Sequence, residues 1–459
     1  MKSYYLLICI LFFLYSCKQT KDQTMDKSFP VRLMTLDPGH FHAGLVQKKM
    51  YETIDPKVYV YAPEGPDVDM HINRINSYNT RNEDPTSWIE EVYSGPDYFE
   101  KMLQDVPGNV VVLSGNNSKK TEYISKSITS GIHVLADKPM AIDPGDFIVL
   151  KQAFEMAEEK GLLLYDIMTE RYEITTILQK ELSSIKAVFG ELQIGSLEIP
   201  AITKESVHHF FKYVSGEPLI RPAWFFDISQ QGEGIVDVTT HLVDLVQWEA
   251  FPGRIIDYRQ DIKILAAKRW FTSIDANQFL QVTGLNEYPD YLLKDTDEGI
   301  LKVYSNGEIN YTIKGHHAKV SVIWNYQAPE GGGDTHYSIM RGTKCNLIIR
   351  QGPEENFMPI LYIELIDGDD SFQQKLNQAV NEVLNTRYPG IKLENLTPTT
   401  WKIHIPENYK IGHEAHFGQV VEKYLDYLIN ESMPEWEVPN MITKYYITTT
   451  ALKMAMENQ

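Results

Sequence analysis

Apolar and polar positions follow two rhythms along the chain. Val31 to Leu36 is a continuous apolar run that breaks into Asp37-Pro38-Gly39-His40-Phe41-His42-Ala43-Gly44, after which helical spacing continues to Met50. Similar runs recur at Lys57 to Ala62, at the Val-rich Asn109 to Ser114, within Ile132 to Ala141 and at Leu162 to Asp166. Thr121 to Ser130 has an amphipathic period that Gly131 ends. Short apolar strands alternating with helices predict a parallel, doubly wound sheet. Beyond Thr175 the rhythm changes to long alternating segments: Lys186 to Ile199, Ile255 to Ala266, Gly299 to Ile313 with Asn306-Gly307 as a hairpin turn, Ala318 to Tyr326, and Cys345 to Gln351. Residues 371–386, 414–430 and 443–456 return to helical spacing. The predicted class is α/β: an N-terminal Rossmann doubly wound parallel sheet, then an α+β domain with a large, mostly antiparallel sheet.

The first residues carry a different signal. Met1-Lys2 is a minimal positive start, and Tyr4 to Tyr15 is almost wholly apolar yet too short to span a bilayer comfortably. Leu14-Tyr15-Ser16-Cys17 resembles the bacterial lipobox, in which the cysteine is acylated and becomes the new N-terminus. The expected organisation is a lipoprotein signal over 1–17, a polar tether over 18–28, a dinucleotide-binding domain over 29–168, and a substrate and oligomerisation domain over 169–459. A cell-envelope protein anchored at Cys17, periplasmic or surface-exposed, follows from this reading. With Cys9 in the signal and Cys17 lipidated, only Cys345 remains, so no intramolecular disulfide is expected and Cys345 reads as a buried apolar filler.

Composition narrows the partners. At 459 residues the chain is too long for one ordinary core. A formal charge of −19 opposes nucleic acid and anionic bilayers alike, so nucleic acid is excluded as a partner and membrane contact is expected through the N-terminal lipid alone. The 27 tyrosines offer the polar-tipped aromatic surface on which sugars stack.

The strand–turn–helix at 31–50 suits a dinucleotide, because backbone N–H groups at a helix start face the pyrophosphate and glycine lets it approach. The G-x-G-x-x-G fingerprint is nevertheless broken: Asp37 takes its first position and His42 its third, leaving Gly39. His40, Phe41 and His42 complete the turn, and Glu64 stands near where a ribose-binding carboxylate is expected, with a solvated loop residue as the alternative. Ser114, Asn116 and Asn117 follow the third run as a polar turn. His40 and His42 look like a metal pair, but a turn beside a pyrophosphate accounts for them, and no metal is expected.

The run ending Ala136-Asp137-Lys138-Pro139 closely resembles the Gfo/Idh/MocA oxidoreductases, whose strand ending Glu-Lys-Pro sets a lysine beside nicotinamide and substrate; here aspartate replaces the glutamate. The preceding helix, glycine and His-Val match as well, and Arg171 stands in the short Arg-containing segment at the domain junction. Gly232-Glu233-Gly234 followed by Asp237, His241 and Asp244 keeps the family's glycine turn and D-x-x-x-H with a further aspartate. If Gly234 opens a helix, Asp237 and His241 share one face. The resemblance, which covers about Val31 to Val246, implies an NAD(P)-dependent oxidoreductase acting on a sugar, polyol or glycoside, with Lys138, Asp237 and His241 as the reacting set. NAD is favoured over NADP. It also implies that a dimer or tetramer through the open sheet is common.

Oxidising a hydroxyl needs a base for its proton while the hydride leaves for nicotinamide. His241 has the intrinsic pKa for that role, Lys138 would stabilise the developing negative oxygen, and Asp237 would orient either of them or the substrate. His208, His209, Lys212 and Trp224, with Arg171, are the candidate substrate contacts, core aromatics being the alternative for the segments around 208–212 and 221–226. The Gly331-Gly332-Gly333 segment reads as a loop. Export makes a freely exchanging cofactor awkward, which leaves three functions open: hydride transfer with a tightly held cofactor, glycoside cleavage by transient oxidation and elimination, and non-catalytic glycan binding on a retained scaffold.

Overall fold

The computed structural model describes residues 29–458 apart from 215–216, 330 and 369–370. The signal, lipobox Cys17 and tether expectations lie outside the described residues. Among those described, no helix is long and apolar enough to cross a membrane.

The first domain is the predicted parallel sheet, in the order β3-β2-β1-β4-β5-β6, built from β1 (Leu33–Leu36), β2 (Lys57–Ala62), β3 (Ile89–Ser94), β4 (Val110–Leu113), β5 (His133–Asp137) and β6 (Leu164–Ile167). β1, β4 and β6 are buried at every position, which is why they read as unbroken apolar runs rather than alternations. The intervening helices are α1 (His42–Leu45), α2 (Pro66–Thr80), α3 (Tyr98–Asp105), α4 (Asn117–Thr129) and α5 (Pro144–Lys160). α1 is a single turn, far shorter than the helical spacing to Met50 suggested. Strand order reverses between β1 and β4, so their carboxyl ends open the crevice where such sheets take ligands.

After α6 (Ile174–Ser183), β7 (Ile202–Phe211) enters a ten-stranded sheet. β7 pairs parallel with His316–Gln327 and antiparallel with Thr335–Arg341; the other pairings in this sheet are antiparallel. α7 (Ile228–Gln231) and α8 (Thr239–Ala250) connect its first two long strands. Three expectations need correction. Residues 186–199 form turns and isolated bridges, and the strand starts only at Ile202. The strand expected over 255–266 is Ile262–Ile274. Asn306-Gly307 is not a turn: Ile300–Ile313 runs straight through, and the hairpin closes at Lys314-Gly315, both with positive φ. Gly307 is there for close packing, since a Cβ would stand 2.5 Å from Cβ of Ile235.

The last two helices tie the domains together. Phe417, Val420 and Tyr424 of His413–Asn430 lie in the first core, whereas Glu437–Glu457 gives Met441 and Tyr445 to that core and Ile447 and Ala451 to the second. The 168/169 boundary therefore separates the sheets without separating the cores.

Candidate active site

β5 ends at Asp137 and delivers Lys138 to the rim of the crevice. Its Nζ lies 2.5 Å from Asp237 Oδ1 of the second domain, with both side chains largely buried. Gln231 Nε2 donates to Oδ2 of the same carboxylate at 3.2 Å, so Asp237 is clamped between a lysine and an amide. Gly234 does not open the helix, contrary to the sequence expectation: its N–H donates to Tyr304 O, and α8 begins at Thr239. The chain passes so close to the neighbouring strand that a Cβ on Gly234 would lie 1.7 Å from Ser305 O. Asp237 thus sits in the tight turn before α8 and His241 in its first turn.

His241 makes no side-chain hydrogen bond among the described residues, and its Nδ1 is enclosed. Its pKa is pushed well below 6.5 by burial, then by the positive charge of Lys138 and by His413. The imidazole is consequently neutral at physiological pH, the state a proton acceptor requires. Glu170, partly exposed and within electrostatic reach of Lys138, has its carboxyl pushed up to about 7 by desolvation and by Glu173.

The turn after β1 differs from a glycine grip. Asp37, at φ 50°, accepts from Tyr123 Oη at 2.8 Å and has Lys119 Nζ 3.8 Å away. Gly39 and Gly115 let the turns after β1 and β4 touch: a Cβ on Gly115 would be 2.1 Å from Asp37 O. Phe41 is at the surface, and Glu64 is exposed beyond β2. Asp67, not Glu64, is the carboxylate beside Gly39. Asn116 caps α4 and donates to Gln230 Oε1 at 2.7 Å, and Asn117 donates to Gln231 O at 2.7 Å, so both reach across to α7. Asp137 accepts from Ser114 Oγ at 3.1 Å and lies beside His42 and His40; burial opposes its charge, but His42, His40 and Lys120 outweigh that and hold its pKa well below the carboxylate range. Burial lowers His42 to about 3.

The substrate candidates divide. His208, His209 and Lys212 converge on Asp334, at 3.3, 3.1 and 2.6 Å, at the end of the glycine loop, which this clamp pins. His208 is close enough to Lys138 to feel its charge, and Arg221 to feel Asp237, so this group flanks the reacting set. Trp224 instead spends its indole N–H on Asp67 Oδ2 at 3.1 Å and stands over Gly39. Arg171 does not reach the cleft: it is buried between Asp244 and Glu437, binding both carboxylates with its guanidinium. A guanidinium so occupied holds domains together rather than a substrate. Lys120, buried and lowered by that burial to about 8, donates to Asp137 O at 3.0 Å and to Asn117 at 2.6 Å. Neither it nor His413 carried a signal in the sequence, Lys120 lying within an amphipathic helix and His413 far from every motif.

Residues able to hold a pyrophosphate are present. A cavity of about 90 Å³ beside the β1 turn is lined by Gly39, His40, Asp67, Arg74 and Arg221, among others; Arg74 is exposed there, whereas the Arg221 guanidinium donates to the carbonyls of His209 and Phe210. Arg74 suits a phosphate, and the volume is smaller than the roughly 300–1,000 Å³ of a ligand site. A cavity of about 490 Å³ between 335–337 and 350–355 contains none of the reacting set.

A family model described as "Putative oxidoreductase C terminal domain" matches residues 178–456, more than half of the chain. The chain belongs to this oxidoreductase family. A crystal structure from Parabacteroides merdae ATCC 43184, itself described as an oxidoreductase in the same qualified terms, is 57% identical to this oxidoreductase, covers 94% of it and 98% of its own length, and superposes with a TM-score of 0.92. Among distant relatives in fold are a 3-ketoreductase from Actinomadura kijaniata in complex with TDP-benzene and NADP (13% identity, 91% and 96% covered, TM-score 0.53) and a biliverdin reductase from Synechocystis with biliverdin and NADP+ (12%, 93% and 99%, 0.54). At that identity they share the architecture with this oxidoreductase. No curated protein matches the sequence.

Proposed function

We propose that this oxidoreductase is NAD(P)-dependent and interconverts a secondary hydroxyl of a sugar, polyol or glycoside with its ketone. One observation carries the reading: Lys138 of the first domain meets Asp237 of the second at 2.5 Å, within the electrostatic reach of a neutral His241. The nicotinamide, when bound, supplies the hydride acceptor. Lys138 donates to the reacting oxygen and offsets its growing negative charge. His241 receives the hydroxyl proton. Asp237, held by Gln231, fixes the ammonium and shares a hydrogen bond with a neighbouring hydroxyl; His208 and Lys212, gathered on Asp334, border the sugar. Residues 1–28 support placing the protein in the cell envelope on a lipid at Cys17, where a tightly held cofactor serves best.

The test is incubation with NAD+ or NADP+ and a panel of polyols, free sugars and aryl glycosides, following reduced nicotinamide and released aglycone together. Lasting reduction by a polyol or sugar supports net oxidation. Aglycone without lasting reduction assigns transient oxidation and elimination, while glycan binding with neither product contradicts the enzyme reading. In the reactive case His241→Asn should slow single-turnover reduction by about 10²–10⁴-fold, the usual worth of a positioned base. An unchanged rate would remove His241 from the reaction.

A further inference from the structure

Beside the reacting set, the carboxyl edge of the parallel sheet gathers groups that hydride transfer does not use. His40 and His42 come from the turn after β1, and Asp137 ends β5, 95 residues beyond His42. One ligand atom from each of the three lies within 4.8 Å of the others. Asp137 Oδ2 is 2.9 Å from His42 Nδ1 and 3.5 Å from His40 Nδ1, and the same oxygen accepts from Ser114 Oγ at 3.1 Å.

Hydrogen bonding alone leaves this arrangement incomplete. His40 Nδ1, enclosed by protein, faces Asp137 Oδ2 across 3.5 Å, at the long limit of a hydrogen bond. A cation bonded at about 2.0–2.1 Å to imidazole and carboxylate in a tetrahedral site sets neighbouring ligand atoms about 3.4 Å apart. The 3.5 Å separation of His40 from Asp137 matches that edge, and the 2.9 Å of His42 needs an opening of about half an ångström. The surrounding shell also suits a metal, where ligands are themselves held by hydrogen bonds: Ser114 orients the carboxylate, and Lys120 anchors the strand end through Asp137 O. His413, partly buried at the start of the helix His413–Asn430, brings a further imidazole, its ring centroid 5.1 Å from that of His42.

We propose that His40, His42 and Asp137 form a binding site for a divalent transition-metal ion of the zinc or iron(II) class, with His413 as a nearby fourth donor. Two imidazoles and one carboxylate with an open side are a donor set that such ions prefer and that leaves room for an exogenous oxygen. The site uses two of the positions where this chain departs from the oxidoreductase pattern, His42 for the third glycine and Asp137 for the glutamate, Asp37 for the first glycine being another. It stands independently of the hydride-transfer reading, because binding is measured without nucleotide or substrate.

The experiment uses the described chain purified, stripped with chelator and titrated with Zn2+ against a chromophoric competitor, and with Co2+ followed by its visible d–d absorption. One ion per chain is expected. His40→Ala, on a side chain still about a quarter exposed and so tolerant of truncation, and Asp137→Asn should each weaken binding by more than 100-fold and abolish the cobalt band. Ser114→Ala, which removes only an orienting bond, should cost about 10–100-fold, and His404→Ala, at an exposed histidine, nothing. Less than one ion per chain, or one whose affinity and cobalt spectrum survive both His40→Ala and Asp137→Asn, would overturn the site. If cofactor reduction fails while the metal binds as described, only the functional reading falls; the reverse result removes only the metal.

Discussion

At the scale of single residues the chemistry rests on opposite charge states held side by side. Lys138 lies 2.5 Å from Asp237, and burial first, then the positive charge of Lys138, holds the pKa of the neighbouring His241 well below 6.5. Because the shift is downward, the base form of His241 persists below the ordinary imidazole value of 6.5, so the acid limb of kcat/KM should fall at a pH below 6.5. A limb with its midpoint at or above 6.5 that disappears in His241→Asn would contradict the burial and the lysine field together. Lys138→Met should lower kcat/KM by about 10²–10³-fold, as loss of an oxyanion-stabilising donor does.

At the scale of elements, glycines place the site. Gly234 passes 1.7 Å, measured from a notional Cβ, from Ser305 O, which fixes how the turn carrying Asp237 enters α8. Gly234→Ala should cost about 1–3 kcal/mol in overpacking and, by moving Asp237 and His241 about an ångström, slow turnover about 100-fold. Equilibrium unfolding and initial rates check this; wild-type values in both would show that the turn has slack. What was legible in the sequence follows the same logic. β1, β4 and β6 are buried on both faces and announce themselves as apolar runs, and Lys138 and His241 sit in short local motifs. Residues 186–199 alternate like a strand but pair only through isolated bridges, and Asn306-Gly307 has hairpin chemistry overridden by packing against Ile235. Arg171 had the right place in the chain and the wrong partners, because Glu437 is 266 residues away. The meeting of His40, His42 and Asp137 was hidden likewise: spacing shows the two histidines, and only the fold adds the carboxylate.

At the scale of the molecule, the domains are joined by a buried network. Arg171 binds Asp244 and Glu437, and Lys444 lies 2.7 Å from Asp166 and 2.9 Å from Asp244, linking the end of β6, α8 and the last helix. Removing one partner strands the others, so Arg171→Ala should cost about 3–5 kcal/mol by denaturant unfolding, with a loss under 1 kcal/mol contradicting a structural role. A second set of contacts, Asn116–Gln230, Asn117–Gln231 and Trp224–Asp67, spans the crevice. With these contacts made, the lysine of one domain meets Asp237 of the other and lies within electrostatic reach of His241.

The most direct measurement of that convergence is a double-mutant cycle on single-turnover cofactor reduction, using Lys138→Met, His241→Asn and the pair. If both act on one reacting oxygen, the double variant should be little slower than the worse single variant, a coupling of more than about 1 kcal/mol. Losses that simply multiply would mean that the two groups do not serve the same atom, and the account of a shared site would fail.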